Sequence, residues 1–161
     1  LASDAHIILV NSDITLTNDL IQLIPFVADN DFLALTRYES ETDAFPFLMR
    51  GKTPRHPCIS QDTWMFKNVL TSLFDITSLI EIPLGVPGCE SRLQAELFLL
   101  GVKISNPCLD VKTIHLHDTN ERTYNEISRL YGLYAFPRAM TKVQFMTGRR
   151  FSPQIISKSN R

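Results

Sequence analysis

The chain has 161 residues, 44% of them hydrophobic and 20% charged, which is the size and composition of one globular domain with a real core. A net charge of −1 argues against a nucleic-acid binder held by electrostatics, and no apolar run approaches the ~20 residues that span a bilayer. Leu1-Ala2-Ser3-Asp4 has neither the basic region nor the apolar stretch of a signal peptide, so a cytoplasmic location is expected.

His6 to Val10 (HIILV) reads as a strand buried on both faces, placed inside a parallel sheet, with Asn11-Ser12-Asp13 at its end. Polar residues there sit where α/β sheets hold their ligands. Thr17 or Asn18 is placed to cap a helix that Pro25 keeps short. Asp31 to Tyr38 (DFLALTRY) predicts a second strand. The polar, proline-bearing stretch from Glu39 to Ser60 has no periodicity, a habit of functional or mobile loops. A brief strand is predicted over Thr63 to Phe66 and a helix over Asn68 to Phe74. Glu90 to Leu100 predicts a helix with Leu93, Leu97 and Leu100 on one face, ended by Gly101 as its C′ residue. Val102 to Ser105 and Val111 to His117 are strand candidates, and Glu121 to Tyr131 a helix candidate.

Two distributions qualify this outline. Cys58, Cys89 and Cys108 match no zinc spacing and are odd in number, which points to reduced thiols in or near the core. All 17 acids lie at or before Glu126, whereas residues 127–161 carry seven basic residues and no acid. Such a tail suits phosphates, an anionic membrane surface or the acidic body itself.

Four constellations carry chemistry. Asp13 at a strand end can ligate a divalent cation that bridges two phosphates. In Gln61-Asp62-Thr63-Trp64, two hydrogen-bonding side chains precede a flat apolar face, which suits a sugar ring. Glu90, after Pro87-Gly88, opens a helix whose dipole keeps its carboxylate ionised, so it can take a proton from an attacking hydroxyl. His115 and His117 stand two apart on a strand and so share a face. Each also has a plainer reading, as turn former, core tryptophan, helix cap and surface histidines.

In their order and spacing, with PGCESRLQAELFLLGVKISNP as the most specific stretch, these elements resemble GT-A glycosyltransferases over about Ala5 to Tyr124. The likeness is to the inverting family-2-like branch and the polypeptide N-acetylgalactosaminyltransferases. The resemblance implies an α/β fold with a mixed sheet flanked by helices. It spans residues 1–126, with 127–161 as a basic extension, and lacks the Rossmann-like strands expected to precede Leu1. It implies transfer of a sugar from a nucleotide diphosphate sugar to an acceptor hydroxyl, with inversion and with Mn²⁺ or Mg²⁺. Asp13 matches the last Asp of the family's DXD motif, and Asn11 stands in place of the first, so the site has one carboxylate fewer. Asn11 and Ser12 would lie on the donor side. His115 or His117 matches the late metal-site histidine. Glu90 matches the acidic base residue, and Ser91 replaces the second acid of the common pair. Asp62 is the other catalytic candidate, and Gln61, Trp64 and Arg92 would meet the acceptor. The departures at Asn11 and Ser91 leave open a different class, a non-catalytic carbohydrate-binding or scaffold domain.

Overall fold

A computed structural model of the chain describes residues 2–39, 46–49, 58–73, 75, 79, 81–116 and 130–159. His117, the helix expected from Glu121 and most of the polar stretch from Glu39 to Ser60 lie outside the described residues.

The central sheet has four strands in the order β1 (His6–Val10), β6 (Gln61–Lys67), β3 (Asp31–Thr36) and β7 (Lys103–Ser105). β6 runs antiparallel to both of its neighbours, and β3 runs parallel to β7. The sheet is therefore mixed. β3 and the first six residues of β6 are buried throughout, the polar Asp31, Thr36, Gln61, Asp62 and Thr63 at their ends as well as the apolar middles, because helices cover both faces. Side-chain alternation divides them into two clusters. Leu33, Leu35 and Met65 pack with Leu20, Leu23, Val27, Met140 and Phe145. Phe32, Ala34, Trp64 and Phe66 pack with Leu70, Leu97, Val102 and Ile104.

The first cluster is covered by α1 (Asn18–Ile21) and the 3-10 turn Ile24–Phe26, which Pro25 starts, and by α4 (Lys142–Met146). The second is covered by α2 (Leu70–Leu73) and α3 (Cys89–Leu99). α3 closes as the sequence predicts. Gly101 has φ of 92°, its N–H bonds to Phe98 O, and Val102 N–H bonds to Leu97 O. That pairing satisfies the last carbonyls and brings Leu97 and Val102 into one apolar contact.

A second four-stranded sheet runs β2 (Ile14–Leu16), β8 (Thr113–His115), β4 (Tyr38–Glu39) and β5 (Phe47–Leu48). A hairpin-like pair joins β9 (Gly132–Phe136) to β10 (Gln154–Lys158).

Two expectations are corrected. HIILV, expected in a parallel sheet, pairs antiparallel with β6. β1 has β6 on one side and, among the described residues, no strand on the other, and Leu9 and Val10 are exposed. Of the basic stretch after residue 126, the described residues 130–159 contribute to the body rather than standing apart from it. Met140 and Phe145 sit in the core, and Lys142 and Arg150 pair with Asp19 and Asp31. Of the partners that a basic tail suits, these two cations take the acidic body. Among the described residues no helix is long and apolar enough to cross a membrane.

Candidate active site

The two sheets meet where the chain passes twice from one to the other. β1 leads to β2 through Asn11-Ser12-Asp13, and β3 leads to β4 through the single residue Arg37. The register between β3 and β6 shifts at Leu35/Thr36, an irregularity of the kind that re-aims side chains. Arg37 N–H then bonds to Ser60 O, and Ser60 itself holds the left-handed conformation at φ of 58°, a sparsely populated state for a residue with a side chain.

At this seam a continuous chain of polar contacts forms. Asn11 Nδ2 donates to Asp62 Oδ1 at 2.9 Å. Arg37 Nη1 donates to the other oxygen of Asp62 at 2.8 Å. Its Nε and Nη2 both reach Glu39 Oε1 at 2.6 Å. The second oxygen of Glu39 lies 3.0 Å from His115 Nδ1. His115 Nε2 lies 2.9 Å from Asp13 Oδ2. Strand register explains the middle of this chain, because Glu39 and His115 are paired across parallel β4 and β8. The outer end is open: the Asp13 side chain is 51% exposed, whereas those of Asp62 and Glu39 are buried.

Burial alone would raise the Glu39 carboxyl, but the His115 hydrogen bond and the Arg37 charge outweigh it and hold the group below the usual carboxylate range. Asp62 goes the other way. Its burial is deeper and outweighs Arg37, and the nearby Asp13 carboxylate adds to the rise. Glu90, in the first turn of α3, is also pushed up, first by burial and then by the Asp62 carboxylate. Its charge is thus felt by the same cluster, although it comes from a different element.

α3 is aimed by its own sequence. Gly88 precedes it at φ of 90°, and a Cβ there would overlap the Tyr134 hydroxyl. One turn after Glu90, the buried Gln94 donates to Gln61 Oε1 at 3.3 Å. Gln61 Nε2 in turn donates to Thr36 Oγ1 and Cys58 O, both at 2.9 Å. This buried amide ladder ties the base of α3 to the start of β6, beside Asp62.

Asp13, His115, Asp62 and Asn11 are therefore brought together, Ser12 lies exposed in the intervening turn, and Glu90 stands on α3, which Gln94 and Gln61 tie to the start of β6. Three expected acceptor contacts are corrected. Trp64 is 4% exposed and fills the core cluster against α3, because a strand with helices on both faces buries both sets of its side chains. Gln61 is wholly buried and spends its amide on the ladder. Arg92 pairs with Glu96 and donates to Leu133 O, which fastens α3 to β9. Asp62 keeps its place in the cluster, but both of its oxygens accept hydrogen bonds, so it is not an unengaged base.

Sequence reasoning missed Arg37 and Glu39. The available signal was an apolar run that ends in Arg37-Tyr38-Glu39, with opposite charges two residues apart on one strand face.

Among the described residues no group of three or more His, Cys, Asp or Glu side chains is arranged around a cation position. Asp13 and His115 alone form a mixed oxygen–nitrogen pair. Two such groups alone leave most of a Mn²⁺ shell to be completed by other oxygens, and the imidazole makes the pair a poorer match for Mg²⁺. The Glu39 contact at His115 Nδ1 matches the outer-shell support typical of ligating histidines.

Comparisons with protein-family models, with curated proteins and with solved structures returned no match.

Proposed function

We propose that this chain carries the metal and acceptor side of a glycosyltransferase site, which moves a sugar from a nucleotide diphosphate sugar to an acceptor hydroxyl with inversion. The observation that supports this reading is the convergence of Asp13, Asp62 and His115, which are spread over a hundred residues of sequence, at one seam that opens at Asp13, with Glu90 on the α3 helix tied to the start of β6. Asp13 and His115 Nε2 would hold Mn²⁺ or Mg²⁺, which supplies charge neutralisation for the departing diphosphate. Asn11 and Ser12 flank Asp13 on the donor side. Glu90 takes the acceptor proton, and its raised pKa moves a carboxylate toward the range of a useful base. Arg37 keeps Asp62 and Glu39 from collapsing onto that cation.

A specific observation favours a second reading, a carbohydrate-binding or scaffold domain without catalysis. Both ring nitrogens of His115 already face carboxylates, so the histidine is engaged within the cluster rather than turned to a cation. The experiment that separates the two is transfer by the full-length protein from a panel of nucleotide diphosphate sugars, with Mn²⁺ or with chelator. Catalysis predicts Mn²⁺-stimulated transfer that Asp13→Ala abolishes. A scaffold gives no turnover in any arm.

A further inference from the structure

The cluster contains one residue whose contacts reach both of its halves. Arg37 lies on the one-residue link between the two sheets, and its side chain is only 20% exposed. One edge of the guanidinium, Nε with Nη2, grips Glu39, and Nη1 grips Asp62. A planar fork with fixed donor directions can hold two carboxylates in a set relation, which an ammonium on a flexible stem cannot do. With one oxygen of Glu39 on Arg37, the other is left facing His115 Nδ1. The ring is then oriented so that Nε2 faces Asp13.

We propose that Arg37 is a positioning residue: through Glu39 it sets the orientation in which His115 presents Nε2 beside Asp13. The proposal rests on the reading of Asp13 and His115 as the cation-facing pair, and it adds a residue that the resemblance does not supply. It differs from the simpler role of a counter-charge. A counter-charge needs only a positive group, whereas positioning needs the fork.

Arg37→Lys separates the two, because it keeps the charge and loses the geometry. The first readout is the ¹⁵N imidazole spectrum of His115 in the metal-free chain, assigned with His115→Gln. Positioning predicts that Arg37→Lys shifts and broadens the His115 ring signals relative to the parent. Glu39→Gln should give the same change, and the double variant little beyond either one, as expected for groups acting in series. The second readout is Mn²⁺ titration, where loss of an outer-shell partner costs about 10–100-fold in affinity; Arg37→Lys should weaken binding toward the lower end of that range. Arg37→Met is the complementary variant. Loss of a nearby positive charge alone would tighten Mn²⁺, so weaker binding supports positioning and tighter binding contradicts it. An unchanged His115 spectrum in a folded Arg37→Lys protein overturns the proposal, whatever happens to the metal. A parent chain that binds no Mn²⁺ overturns the metal reading instead, and the metal-free spectrum then decides the role of Arg37 by itself.

Discussion

Arg150 and Arg37 each hold buried carboxylate, but the two clusters are built differently. Arg150 meets one carboxylate among the described residues, Asp31, through Nε at 3.0 Å and Nη2 at 2.6 Å, donates its Nη1 to Phe145 O and Arg149 O, and lies 4.1 Å over the Phe145 ring. Asp31 gives its remaining capacity to Ala28 N–H. One charge answers one charge, and the pair latches the C-terminal segment to the central sheet. Around Arg37 several carboxylates share few cations among the described residues. Asp13, Glu39 and Asp62 face one guanidinium and one imidazole, with Glu90 close enough to be felt. A balanced pair is explained by stability alone. Several carboxylates gathered at an open seam form the kind of site at which perturbed acids serve function.

The largest effect that this contrast predicts is catalytic. Glu90→Gln retains the size of the side chain and removes the basic carboxylate, so turnover by the full-length protein should fall by about 10²–10⁴-fold. Its stability should move in the opposite sense. The folded pKa of Glu90 lies above its ordinary value of 4.5, so the unfolded chain ionises first as pH rises. Stability is lost from about that ordinary value upward, until the folded group also ionises. Glu90→Gln should therefore be at least as stable as the parent at pH 7, with the advantage fading below the ordinary carboxylate range. Denaturant midpoints measured across pH check the sign, and a variant that loses turnover and neutral-pH stability together would mark Glu90 as a structural cap.

The latch should show the reverse profile. Arg150→Met leaves Asp31, 1% exposed at its side chain, as an unanswered buried charge. The expected cost is about 3–5 kcal/mol in equilibrium unfolding. Transfer per folded molecule should stay near the parent's. A selective loss of turnover without loss of stability would erase the distinction between the two clusters.

How far the sequence announced this arrangement depends on how local each signal is. Gly101, Leu97 and Val102 lie within six residues and specify the end of α3 by backbone geometry, so that feature was legible. Asp13 and His115 were legible as residue types at strand ends. Their meeting at 2.9 Å depends on pairing across β2 and β8, which no local pattern encodes. The antiparallel pairing of β1 was hidden for a related reason: HIILV has the composition of a parallel-sheet strand, and only topology decides the direction of its neighbour. Trp64 and Gln61 looked like ligand contacts because aromatic and amide groups serve sugars and cores alike. Full burial of β6 between two layers of helices chose the core. Arg37 escaped because its importance comes from a shift in register and a one-residue link between sheets, neither of which is a motif.

On the proposed function, the open end of the Arg37 cluster receives a cation-bound diphosphate. Calorimetric titration of a nucleotide diphosphate sugar into the full-length protein, with and without Mn²⁺, tests it most directly. The account predicts binding that requires Mn²⁺ and is lost in Asp13→Ala, with the variant's fold intact by circular dichroism. Binding of equal strength in chelator, or binding indifferent to Asp13→Ala, would contradict it.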